Sequence, residues 1–211
     1  MAITLYDYAR APSPRRARMF LAEKQVPHET VQIDLATGEH LLPAFQAINP
    51  TCTVPALRLE DGTIITENAG IAAYLEAAYP TPALLGRTPV EKGHVAAWIS
   101  RIEFEGLAAV AEAFRNSVPG MQNRALTGPQ NFAQIPELAA RGRHRVELFF
   151  ATLNNRLENR PYIATDNFTA ADIAAIVTLD FARAIRQQPA ADQTNLARWR
   201  SAMAARASYA A

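Results

Sequence analysis

Four short stretches hold the side chains that could bind or react. Ser13 lies in DYARAPSPRRARMF (7–20), at the start of a helical pattern and just before Arg15, Arg16 and Arg18. A hydroxyl there can donate to an anion or simply cap the helix. Cations in a first turn oppose the helix dipole at roughly 0.3–1 kcal/mol each when exposed. That cost is easier to understand if an anion binds nearby; for Arg16 and Arg18, pairing with carboxylates such as Glu103 or Glu105 is the favoured reading. Val54-Pro55 stands at the mouth of a strand in NPTCTVPAL. If this bond is cis, Val54's N–H and C=O turn out of the sheet, where they can pair with an extended peptide. If it is trans, the proline merely begins an edge strand. Glu67 and Asn68 open a helix, where free N–H groups favour anions, or where Asn68 is only a cap. His40 follows TGE and reads equally as a ligand contact or a solvated loop residue. Cys52 has no basic neighbour in sequence and reads as a bystander thiol.

The bulk properties exclude several classes. With a formal net charge of +1 over 211 residues, there is no broad basic surface for nucleic acid. No apolar run approaches the roughly 18 residues of a membrane span. One cysteine rules out an internal disulfide, a CxxC redox pair and a cysteine-based zinc site, and no metal is expected. With no signal-peptide pattern in MAITLYDY, the expected compartment is the reducing cytoplasm.

The elements that must position these residues are legible as patterns. AITLY (2–6) alternates as a strand; SPRRARMFLAEKQ (13–25) reads as a helix capped by Ser13; VPHETVQID (26–34) gives a turn and a strand. HLLPAFQAI (40–48) is a short helix interrupted by Pro43. VPALRL (54–59), the turn EDG and TIIT (63–66) make a hairpin, and 67–80 is a helix ended by Pro80. The order β-α-β-α-β-β-α implies a mixed sheet with helices on both faces. Thereafter strand signals stop, and helical spacing recurs over 89–116, 136–157, 168–185 and about 193–206, with a loop at 117–135. Thr169 and Asp172 read as a capping box, with Phe168 and Ile173 as a hydrophobic staple. The expected organisation is an α/β domain at 1–80, a proline-rich linker at 81–88 and an all-helical domain at 89–211.

NPTCTVPAL, DGTIITENAGIAAYLE and FTAADIAAI, in this order and spacing, resemble the cytosolic glutathione S-transferases of bacterial type. The resemblance implies a thioredoxin-like N-terminal domain (β-α-β-α-β-β-α) followed by an all-α helical bundle, and a homodimer. It implies glutathione as co-substrate, its thiol activated as thiolate for attack on an electrophilic small molecule. Val54 and a cis Pro55 would hold the cysteinyl part, Glu67 and Asn68 the γ-glutamyl end, and His40 the glycine carboxylate. Asn68 departs from the Ser or Thr usual in the family, being longer. Where many members carry a catalytic Ser or Thr, this chain has Ala11. Ser13 therefore becomes the expected thiolate donor, with a nearby main-chain N–H or Tyr6 behind it, and Tyr8 and Arg10 flanking. A second substrate would meet Glu105, Ala108, Ala109 and Glu112 on one helix face. A glutathione-dependent disulfide reductase, a glutathione-dependent isomerase or dehalogenase, and a non-catalytic binding or regulatory protein stand as alternatives on the same fold.

Overall fold

The computed structural model describes residues 3–211, so Ala2, counted in the first expected strand, lies outside the described residues. Contacts divide the chain into two compact units. One runs to Pro82 and takes in Thr127–Gln130 and Ala211, and the other comprises Ala83–Leu126 and Asn131–Ala210.

The first unit contains β1 (Thr4–Asp7), α1 (Pro12–Lys24), β2 (Glu29–Gln32), α2 (Pro43–Gln46), β3 (Ala56–Arg58), β4 (Ile64–Thr66) and α3 (Asn68–Ala78). The sheet order is β2-β1-β3-β4, with β1 and β2 parallel and the other pairs antiparallel. Side chains alternate across it. Tyr6 and Ala56, paired in register, join Ile33, Val54 and Phe45 of α2 in one buried cluster, so α2 covers that face. Leu5, Leu57 and Ile65 point the other way. A Cβ on Gly70 of α3 would lie 3.3 Å from Ile65, which places α3 over that second face. Pro43 starts α2 rather than interrupting it, because a proline fits a first helical turn that needs no N–H from it. At the far end of α1 the side chain of Lys24 is wholly buried. It pairs with Glu76 at 2.6 Å and donates to the carbonyls of Tyr79 and Pro82, each at 2.6 Å, so three oxygens satisfy its charge.

The second unit's named elements are helical: α4 (Pro89–Arg101), a π-helical stretch (Ile102–Leu107), α5 (Ala108–Ser117), α6 (Pro136–Arg156), α7 (Ala170–Ala182) and α8 (Thr194–Ala204). Two glycines set the packing distance. A Cβ on Gly142 would come within 2.7 Å of Ala109's carbonyl oxygen, and one on Gly106 within 2.6 Å of the Phe149 ring. Helices α5 and α6 therefore approach backbone to backbone. The 117–135 connection is tied down rather than loose. Asn116 accepts from the Ile135 N–H at 2.9 Å, and Gln134 donates to the carbonyls of Arg115 and Val118 at 2.7 and 2.9 Å.

Helix α7 is buried almost throughout, and the capping box at its start is present. Asp172 accepts from the backbone N–H groups of Ile163 and Thr169, both at 3.0 Å, and from the Thr169 hydroxyl and the Trp199 indole, both at 3.1 Å. Burial pushes its carboxyl up to about 6 against the pull of these four donors. A carboxyl raised on folding stabilises most when protonated in the folded state, and that gain is lost as pH rises through the folded value. We expect wild-type unfolding free energy to fall by about 2 kcal/mol relative to Asp172→Asn as pH rises from the ordinary value of 3.8 to about 6. Urea denaturation of both proteins across that range measures it.

Candidate functional site

Strand pairing brings the chemistry-bearing residues to one end of the sheet. The last residue of β1, Asp7, pairs with Gln32 at the end of β2, and Tyr6 pairs with Ala56, the first residue of β3. Ala56 in turn pairs with Thr66, the last residue of β4. The chain leaving β1 toward Ser13, the chain entering β3 through Val54-Pro55, and the chain leaving β4 into Glu67-Asn68 all emerge there. The segment carrying His40 departs from the same end, after β2.

Ser13 does not cap α1. The helix begins one residue earlier, at Pro12, whose fixed φ suits the first helical position, and its cap is Ala11 in extended conformation with no side-chain bond. Asn68 does not cap α3 either; Glu67 occupies the cap position and Asn68 is the first helical residue. Each side chain, released from capping, meets the other: Asn68 Nδ2 donates to Ser13 Oγ at 2.9 Å. Two helix N-termini thus converge on one hydrogen bond. In the first turn of α1, Pro12 and Pro14 have no N–H and the Ala11 N–H donates to the Tyr8 carbonyl, which leaves the Ser13 N–H for another acceptor.

Glu67 is exposed and has φ 63°, ψ 140°. Such backbone costs a non-glycine residue roughly 1–3 kcal/mol, and it persists only where its surroundings hold it. The Val54-Pro55 bond is cis, which settles that choice against the trans edge-strand reading. Both residues are buried, and among the described residues no hydrogen bond engages Val54's backbone. His40 is buried, 3% exposed, in a 3-10 turn at Glu39–Leu41, so it is no solvated loop residue.

Three other residues take packing or surface positions. Tyr6 is a core residue, its ring edge-on to Phe45 at 6.2 Å with the Arg58 guanidinium 5.8 Å from its centroid. Arg10 lies exposed in the turn closed by Ala11 N–H to the Tyr8 carbonyl. Cys52 is 2% exposed and its Sγ lies 3.7 Å from the Pro50 carbonyl oxygen, which suits a bystander. In the second unit Ala109 is core while Ala108 is exposed, so the helix face expected at 105–112 is not a single surface. Its Glu105 pairs with Arg101, and its Glu112 with Arg141 and Arg145.

Several contacts that shape this end escaped the sequence reading. Arg18 pairs with Asp7 at 2.5 Å instead of with Glu103 or Glu105, and its other arm donates to the Ala9 carbonyl at 3.2 Å. Gln32 donates to the same Asp7 carboxylate at 2.6 Å and accepts from the Ala9 N–H at 2.9 Å. Together they frame the 8–11 loop before Ser13. Asn49, buried, does the same for the approach to Val54: it donates to Thr53's carbonyl at 2.8 Å and accepts from the Thr51 N–H at 3.1 Å. The only available signal was the N-P-T sequence itself, because asparagine side chains commonly fold the backbone that follows them. Removing Arg18 leaves a carboxylate buried with one donor fewer. We expect Arg18→Ala to cost about 3 kcal/mol in urea-denaturation stability, and Asp7→Asn in the same background to restore part of it.

Comparison with known proteins agrees with this fold. Residues 11–78 match the family model for the glutathione S-transferase N-terminal domain, and residues 122–207 that for the C-terminal domain. Glutathione S-transferase 2 of Saccharomyces cerevisiae is 37% identical over 207 residues, covering 97% of this chain and 86% of that one. The crystal structure of Gtt2 from the same yeast superposes with a TM-score of 0.89 at 36% identity over 97% of each chain. A maleylacetoacetate isomerase of Pseudomonas aeruginosa is 39% identical over 90 residues, 42% of each chain. The chain, with its thioredoxin-like first domain and helical second domain, belongs to the glutathione S-transferase family of enzymes.

Proposed function

We propose that the sheet end binds glutathione and holds its thiol as thiolate for attack on an electrophilic small molecule, by substitution or addition. The observation that carries this is the meeting of Ser13 and Asn68 at two helix N-termini. A thiol is a poor nucleophile until ionised, and a hydroxyl donor beside helix N–H groups stabilises the anion. Ser13 accepts from Asn68, so its own proton is left for the sulfur. Val54, turned by the cis bond to Pro55, would pair with the cysteinyl backbone. Glu67 would take the γ-glutamyl ammonium, the N–H groups of α3 its carboxylate, and His40 the glycine carboxylate. The packing of Tyr6 against Phe45 supports a structural role, and Arg10 stands at the rim. The family likeness supports a homodimer, and the single thiol suits a reducing cytoplasm.

A second reading, glutathione-dependent isomerisation, draws on the isomerase likeness over the matched 90 residues. It uses the same thiolate, adding to a double bond and leaving again, so the two readings differ in product and not in site. Assay of a conjugating electrophile beside a cis-configured diacid separates them. Burial of Cys52 argues against a route through a protein mixed disulfide.

Calorimetric titration of reduced glutathione, with a pH titration of bound-thiolate absorbance, tests the proposal. The wild type binds, and its bound thiol ionises below the free thiol. In Ser13→Ala binding persists, while the bound thiol pKa rises by roughly 1–2 units, the worth of one hydrogen bond to a charged group. A wild type that does not bind glutathione overturns the reading.

A further inference from the structure

We propose that Asn68 is a positioning residue for thiol activation: it acts through Ser13 and is not itself a contact to the glutathione carboxylate. This rests on the reading that Ser13 stabilises a glutathione thiolate. Asn68 is the first residue of α3 and Ser13 the second of α1, fifty-five positions apart in sequence. Neither caps its own helix, and Asn68 Nδ2 reaches Ser13 Oγ at 2.9 Å.

The direction of this bond matters. A serine hydroxyl has one proton and two lone pairs. When Nδ2 donates to the oxygen, one lone pair is fixed and the proton is left to rotate toward another acceptor. A hydroxyl that accepts one bond is also the stronger donor in the next, because chained hydrogen bonds polarise one another. Asn68 therefore turns Ser13 from a freely rotating hydroxyl into a directed donor. The greater length of asparagine over serine or threonine is used in spanning from α3 to α1. The carboxylate at the γ-glutamyl end is left to the backbone N–H groups of the helix start, which need no side chain to bind an anion.

The strained cap fits this assignment. Glu67, at φ 63°, turns the chain abruptly into the helix, so that Asn68 enters as a helical residue and not as a cap. A residue capping its own helix would aim its side chain back at its own N–H groups and could not serve Ser13.

The test is a double-mutant cycle on Ser13 and Asn68, read by the pKa of bound glutathione's thiol and by the dissociation constant. Asn68→Ala should raise the thiol pKa by roughly 0.5–1 unit, the worth of a neutral hydrogen bond, with binding changed less than about threefold. Asn68→Asp should raise it further, because a carboxylate takes Ser13's proton instead of giving one. In the Ser13→Ala background, Asn68→Ala should leave the thiol pKa unmoved. Asn68→Gln keeps the amide and should recover part of the shift, and thermal unfolding confirms that each variant is folded. Should Asn68→Ala fail to fold, Asn68→Asp and Asn68→Gln carry the same comparison. An equal shift in both backgrounds overturns the proposal, as does weakened binding with an unchanged thiol pKa, the mark of a direct carboxylate contact. Wild type that binds glutathione while Ser13→Ala shows no shift removes the reading of Ser13 as thiolate donor instead, and the assignment of Asn68 falls with it.

Discussion

A carboxylate buried at the end of the first strand holds the turn that leads into the candidate site. Asp7 is 1% exposed and receives Arg18 from α1 and Gln32 from β2. Those partners also grip Ala9 by its carbonyl and its N–H. The turn between strand and helix is thus held at both ends of one residue, and the helix can start only where that turn releases it. Burying a charge costs several kcal/mol unless it is fully partnered, so this arrangement is all or nothing. With the turn so held, Pro12 opens α1 and Ser13 is carried into the first turn.

The fold was largely legible because its signals are local. Alternation gave β1, the EDG turn gave the hairpin, and the apolar run after Thr169 gave α7 with its capping box. At the candidate site, the residues that gather at the sheet end were legible, but their contacts less so. Ser13 and Asn68 each carried a capping reading beside the binding one, because serine and asparagine at a helix start ordinarily cap. What displaced them came from neighbours: a proline that suits the first position, and a glutamate held with positive φ. The partner of Arg18 was misjudged for a related reason. Its carboxylate lies in the preceding strand, brought near by a turn whose geometry no local pattern specifies.

The helical unit shows the same division of labour between charge and packing. Asp172 gathers donors from α8, from the segment before α7 and from its own cap, so one side chain ties three pieces of chain around a helix with hardly any polar face. Close approach elsewhere depends on having no side chain at all, at Gly106 and Gly142. A larger residue at either position would have to displace backbone or an aromatic ring, which a close-packed interior resists.

On the proposed reading, in which Glu67 takes an ammonium, its strained cap sets stability and ligand recognition at odds. Glycine there would relieve the backbone, since it tolerates positive φ without steric cost, and the fold would be firmer for it. Glycine would also delete the carboxylate that the proposed reading gives to the γ-glutamyl ammonium. On that reading a firmer fold and a held zwitterion cannot both be had at residue 67, and the less stable residue is the one present.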